Sequence, residues 1–280
     1  MARVRVVTDS AGDLTPALAE ERGVTVVPLS IRFGSEEFVD GATLSADQFW
    51  SRCKSSEVLP ETSAPSPGAF QEAFLGAAGD GYDGVVCINL SGALSATIQA
   101  ARSAADAVAG QIPVRVIDSR SVTMGEGLMT LAAAESAAGG STLDEVAAVA
   151  EGRIERTQVF GAIDTLEHLE KGGRIGGARA LLGSLLSIKP VVHVVDGVVE
   201  EESKQRTRSR QLRYLADKVL GFGDIERVAV CNGAASDLDD LLGLVTDVEA
   251  KYPLEVVNLG PVVGTHTGPG TIGVCIVTLG

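Results

Sequence analysis

The sequence predicts an α/β protein in two parts, a mainly parallel, helix-covered sheet followed by an α+β layer. Three observations carry this. The 280 residues are 45% hydrophobic and 21% charged, enough to bury a sizeable core and too apolar for a disordered or coiled-coil chain. Through the first half, short β-branched runs alternate with alanine-rich helical patterns, the rhythm of β-α-β units. Near Gly139-Gly140 the rhythm changes, and Asp196-Gly197 between two β-branched runs signals a hairpin. We place the division near residue 155, giving domains 1–155 and 156–280.

In the first part, Arg3–Thr8, Val24–Ile31, Gly84–Leu90 and Val114–Ile117 read as strands, with helices over Pro16–Arg22, Ala46–Cys53, Pro67–Ala78, Ala96–Val108 and Met124–Ala138. Thr15-Pro16 and Ser66-Pro67 each put a capping hydroxyl before a proline at the first helical position, and Ser45 with Gln48 forms a capping box. In the second part a helix over Leu143–Arg156 leads to a strand at Gln158–Ile163. A helix starting at Asp164, a glycine-rich turn and a helix over Ala178–Leu186 follow. Strands recur at Arg227–Cys231, Glu255–Leu259 and Thr271–Leu279, with helices over Arg208–Leu220 and Asp237–Lys251. Ligands of such sheets bind in loops at the carboxyl ends of the parallel strands.

Charge and motifs narrow the function. Twenty-three basic against 37 acidic residues give a net charge of −14, which disfavours nucleic acid and anionic membranes as partners and leaves at most transient membrane contact. Cys87, Cys231 and Cys275 sit in strand-like apolar runs and, with Cys53, read as reduced thiols; with Asp9 interrupting any signal-peptide core, the expected location is the cytoplasm. The chain lacks a phosphate-loop G-x-x-x-x-G-K-[ST], a dinucleotide fingerprint after the first strand and a G-x-S-x-G elbow. Its three histidines, His168, His193 and His266, are too scattered for a metal cluster, so no metal or other cofactor is expected.

Four segments carry chemistry. Pro60 through Gly68 is stiffened by prolines; Ser66 is explained as a helix cap, whereas Thr62 and Ser63 are free either to meet a ligand or simply to line a loop. Asn89 through Gln99 follows a buried strand and enters a helix near Ser95, whose hydroxyl can cap the helix, touch an anion, or both. Leu169 through Arg179 sets Arg174 between two glycine pairs, as a ligand contact or as a solvated linker residue. In Gly260 through Gly270, two proline-glycine corners are expected to hold His266 on a loop, to orient a hydroxyl or donate to a carboxylate, or to serve as a structural turn.

Together these segments resemble the DegV family of fatty-acid-binding proteins, whose members called FakB supply a fatty-acid kinase. The resemblance rests on Val7-Thr8-Asp9-Ser10, Thr62-Ser63-Ala64-Pro65-Ser66, Leu94-Ser95-Ala96-Thr97, Ile117-Asp118-Ser119, Gly172-Gly173-Arg174-Ile175 and Gly260 through Gly270, in order along nearly the whole chain. It implies a two-domain protein with a long-chain acyl group in a tunnel between the domains. The carboxylate would lie near Thr62 and Ser95, with Arg174 and His266 close by and Ser63 as an additional contact. It also implies a carrier that presents the carboxylate to a separate kinase for acyl phosphate formation, with no catalytic residues of its own. The rivals are a phosphoryl- or acyl-transfer enzyme using Ser95 and His266, and a lipid-sensing regulator. The chain departs from the family where Ala64 replaces a glutamine and Ala96-Thr97-Ile98-Gln99 replaces Gly-Thr-Tyr-Gln.

Overall fold

The computed structural model describes residues 2–56 and 58–280, and for residues 182–187 the backbone alone. In chain order, β1 (Val4–Asp9) and α1 (Pro16–Glu21) lead to β2 (Val24–Val27), β3 (Ser30–Phe33) and β4 (Glu36–Val39). Then come α2 (Ala46–Ser55), β5 (Glu61–Ser63), α3 (Pro67–Gly79), β6 (Gly84–Asn89), α4 (Thr97–Val108) and β7 (Val114–Asp118). Helices α5 (Met124–Ala138) and α6 (Leu143–Glu151) precede β8 (Thr157–Ala162), α7 (Glu167–Lys171), β9 (Lys189–Val195) and β10 (Val198–Gln205). The chain ends with α8 (Arg208–Gly221), β11 (Ile225–Gly233), α9 (Leu238–Leu244), β12 (Glu255–Asn258), α10 (Pro261–Thr267) and β13 (Thr271–Thr278).

The fold is mixed α/β. Strands β2-β1-β6-β7 form a parallel sheet, and β10-β9-β8-β13-β11-β12 form a second sheet, antiparallel except for the β11–β12 pair. Phe70 and Phe74 of α3 and Ala101 and Ala104 of α4 pack on one face of the parallel sheet. Ala133 and Ala134 of α5 and Val146 and Ala147 of α6 pack on the other. Met124, Leu128 and Leu131 turn from α5 toward the second sheet, meeting Val159, Ala229, Cys231 and Cys275. Alternate residues Val228, Val230 and Val274 point the opposite way, to Leu212, Leu215 and Val219 of α8. Helix α5 therefore lies between the sheets, and its residues Met124 through Ala134 are all buried.

The expected caps form. Thr15 accepts from Leu18 N–H, Ser66 from Ala69 N–H, and Ser45 with Gln48 closes both bonds of a capping box. The hairpin is present too: Val195 pairs with Val198 across Asp196 (φ 48°) and Gly197 (φ 81°), the paired positive φ values of a type I′ turn.

Other expectations are corrected. Val24–Ile31 is two strands, because Pro28 cannot donate to a ladder; β3 turns away into a separate antiparallel sheet, β4-β3-β5, that sequence reasoning missed. Glu61–Ser63, read as rigid loop, is the short edge strand of that sheet; it is flanked by prolines at 60 and 65, which bias Leu59 and Ala64 to extended backbone. The helix expected over Asp237–Lys251 stops at Leu244, where Val245 and Thr246 are β-branched and the Thr246 hydroxyl donates to the Leu242 carbonyl at 3.1 Å. Helix α6 ends at Glu151, followed by a 3-10 turn over Ile154–Arg156, and Gly176–Ser187 is 3-10 rather than α-helix. The helix expected at Asp164 begins at Glu167.

His266 lies on helix α10, not on a loop. Pro261 occupies the first helical position and Gly268 (φ 76°) ends the helix, so the corners are its start and stop signals. The intervening Val-Val-Gly-Thr-His-Thr has little helix propensity, and burial of Pro261 through Thr265 overrides it.

Candidate ligand-binding site

Thr62, Ser95, Arg174 and His266, which arise on β5, before α4, after α7 and on α10, all line one cavity. The cavity is narrow, about 70 Å³ in volume. The rest of its wall is mostly aliphatic, including Leu29, Leu90, Leu94, Leu169, Val199 and Val263. Strand alternation explains why Thr62 faces inward. It sits opposite buried Ile31, whereas Ser63 sits opposite Ser30, is exposed, and is not part of the lining.

Thr62 Oγ1 and His266 Nε2 are 2.9 Å apart. His266 Nδ1 is buried without a partner, close to Gly172, where a Cβ would stand only 2.4 Å away. Glycine at 172 is therefore required for the imidazole to seat, a use of Gly172-Gly173 that the sequence pattern alone did not reveal. Burial first, then the positive charge of Arg174, push the His266 pKa down to about 4, so the ring is neutral near pH 7. A buried lone pair left bare costs less than a buried N–H left bare. The proton thus belongs on Nε2, donating to Thr62 Oγ1, which frees the Thr62 hydroxyl hydrogen to donate into the cavity.

Arg174 Nε donates to the Leu94 carbonyl at 3.0 Å and Nη1 to the Gly172 carbonyl at 2.6 Å. The arginine is thereby an anchored charge, joining the segment after α7 to the turn before α4. Ser95 does not cap α4 in the expected register, since the helix starts at Thr97. Its Oγ accepts from Thr97 N–H at 3.2 Å and lies 2.9 Å from Thr97 Oγ1.

Other segments singled out in the sequence support the site from behind. Asp9 accepts from Leu90 N–H, the Asn89 amide and Ala11 N–H, holding the base of the 89–95 turn. Asp118 accepts from the amides of Gly92 and Arg120. Ser91 Oγ donates to the Gly197 carbonyl at 2.7 Å, tying the hairpin tip to that turn. The arrangement can receive a ligand with one hydrogen-bond-accepting polar end and a long apolar remainder. His193 is elsewhere, stacked on Phe160 with ring centroids 4.2 Å apart, and His168 faces the Thr265 carbonyl. Cys87, Cys231 and Cys275 are buried free thiols.

Residues 3–279 match the DegV family. A DegV domain-containing protein of Streptomyces coelicolor is 37% identical over 278 residues, 98% of each chain. A solved structure described as fatty acid binding of a DegV family protein from Thermus thermophilus superposes with a TM-score of 0.90 at 31% identity, covering 99% of this chain and 100% of the other. The DegV structure from Bacillus subtilis, described as a fatty acid binding protein, gives 0.85 at 30% identity over the full length of both. This chain belongs to the DegV family.

Proposed function

We propose that the protein binds one long-chain fatty acid, with its carboxylate at Thr62 and Ser95 beside His266 and Arg174 and its tail along the aliphatic wall. The observation that carries this reading is the convergence of those four polar side chains on a cavity that is, apart from Thr267, otherwise aliphatic. Burying about fourteen methylenes contributes on the order of 11 kcal/mol before ordering costs, at roughly 0.8 kcal/mol each. The carboxylate is the expensive end to bury, and hydroxyl, imidazole and guanidinium groups offset that cost. The Thermus and Bacillus structures, both described as fatty acid binding, support the same ligand class.

The finer proposal is a cytoplasmic carrier that hands the carboxylate to a separate fatty-acid kinase, meeting membranes only transiently for lipid exchange, with its domains divided near residue 155. Among the described residues no helix is long and apolar enough to cross a membrane. The transfer-enzyme reading that uses Ser95 and His266 is weaker because Ser95 meets Thr97, and the hydroxyl within reach of His266 Nε2 is that of Thr62.

Purified protein extracted with organic solvent is expected to release about one fatty acid per chain by mass spectrometry. Protein that neither carries fatty acid nor takes it up when offered would end the proposal. With ATP, magnesium and fatty acid, the chain alone is expected to form no acyl phosphate, and adding a fatty-acid kinase to start its formation. Labelled-phosphate transfer reads both, and turnover by the chain alone would promote the enzyme reading.

A further inference from the structure

Helix α10 supplies Val262, Val263, His266 and Thr267 to the cavity. It is only seven residues long, and its N-cap, Gly260, has no side chain with which to cap it. Such a helix is placed by what holds its ends. Trp50 Nε1 donates to the Leu259 carbonyl at 3.0 Å, and Gly264 packs on Phe49 and Trp50. Toward its C-terminus His168 Nδ1 lies 3.1 Å from the Thr265 carbonyl and Thr271 Oγ1 donates to the Thr267 carbonyl at 3.1 Å; at its N-terminus the side-chain anchor is Asp13, whose Oδ1 accepts from Gly260 N–H at 2.9 Å and whose Oδ2 accepts from Thr123 Oγ1 at 2.6 Å.

This junction is built at a conformational cost. Thr123 has φ 53° and ψ −146°, a backbone region that a β-branched residue normally avoids. That conformation coincides with its amide donating to the Ala11 carbonyl at 2.8 Å and its hydroxyl meeting Asp13. Gly260 is equally constrained, since a Cβ there would stand 2.7 Å from Asp13 Oδ1. Asp13 is buried and joins the β1–α1 turn, the start of α5 and the start of α10. His266 lies six residues on, about 9 Å along the helix axis at 1.5 Å per residue.

We propose that Asp13, oriented by Thr123, is a positioning residue that sets α10 and thereby aims the His266 imidazole at Thr62. The inference rests on the proposed fatty-acid site for its consequence, but the position of His266 can be read without ligand. Nitrogen-15 NMR of the three histidines in the full chain provides that reading. In Asp13→Ala the His266 Nε2 signal is expected to move toward that of an unpaired imidazole while His193 stays in place. The preference for a fatty acid over its methyl ester should fall about tenfold in the same variant, one lost hydrogen bond's worth of discrimination. Asp13→Asn keeps a carbonyl acceptor for Gly260 N–H and should recover most of both properties.

Gly260→Ala attacks the junction from the other side and provides the same readouts should Asp13→Ala not fold. A merely structural role would lower Tm in these variants and leave both readouts unchanged. Folded variants with wild-type His266 signals and a wild-type acid-to-ester ratio would overturn the proposal. If the wild-type chain bound no fatty acid, the site reading would fail while the imidazole signals would still decide the role of Asp13.

Discussion

Replacing Thr62 by valine is expected to weaken fatty-acid binding by roughly ten- to a hundredfold, while methyl-ester binding changes far less. The change conserves shape and removes one hydroxyl. A hydrogen bond to a charged group is worth roughly 1.5–3 kcal/mol, which sets that range. The loss is compounded because Thr62 is the partner of His266 Nε2, and Nδ1 of the same ring is already buried without one. Valine leaves both ring nitrogens of a buried imidazole unsatisfied. Ser95→Ala should cost less, since the Ser95 oxygen also serves Thr97 within the chain. Isotherms with a fatty acid and its methyl ester, accompanied by circular dichroism, check this. Equal losses for the two ligands would place Thr62 away from the carboxylate.

The site was more legible in the sequence than the backbone that carries it. Thr62, Ser95, Arg174 and His266 stand out because they sit in segments punctuated by prolines or glycines and off any apolar face, with a loop, cap, linker or turn role as the alternative, and all four reach one cavity. The same punctuation misled the reading of His266: proline before and glycine after mark a helix as well as a loop, and the helix forms because its valines are buried by distant residues such as Phe49 and Trp50. The small β4-β3-β5 sheet escaped notice because strands of three or four residues show hardly one period of alternation. The anchoring of Arg174 through the Leu94 carbonyl links backbone and side chain across 80 positions, which no local pattern encodes. No local pattern singles out Asp13, because its role depends on Gly260, 247 residues away.

Stability is expected to fall as pH rises from about 4 to 8, the reverse of proteins whose carboxylates are mostly ion-paired. Asp9, Asp13, Asp40 and Glu126 are buried around the β1–α1 turn. Burial is the largest cause in each case, and repulsion from neighbouring acids adds to it for Asp13, Asp40 and Glu126, whereas the hydrogen bonds that Asp9 accepts work against it. It raises Asp9 and Asp40 from 3.8 to about 6, and Asp13 and Glu126 well above their ordinary values. A carboxyl with a raised folded pKa binds its proton more tightly when folded. Its contribution is complete below the unfolded pKa and is lost as pH climbs through the folded one. For Asp9 the displacement from 3.8 to about 6 corresponds to on the order of 3 kcal/mol. The four do not add, because ionising one raises the others. Two groups oppose the trend: His266, lowered from 6.5 to about 4 chiefly by burial, adds stability as pH rises between those values, and Asp237, held low by Arg208, acts from a partly exposed position where the effect is weaker. Glu126 tests the origin of the slope. Its Oε1 accepts from the Thr8 hydroxyl at 2.8 Å, and glutamine retains that acceptor while removing the charge next to Asp9. Denaturant titrations of wild type and Glu126→Gln at pH 5 and pH 8 should show a loss of several kcal/mol in wild type and a smaller one in the variant. Wild-type stability that is level or rises between these pH values would show that the buried acids are paired or hydrated and do not carry this slope.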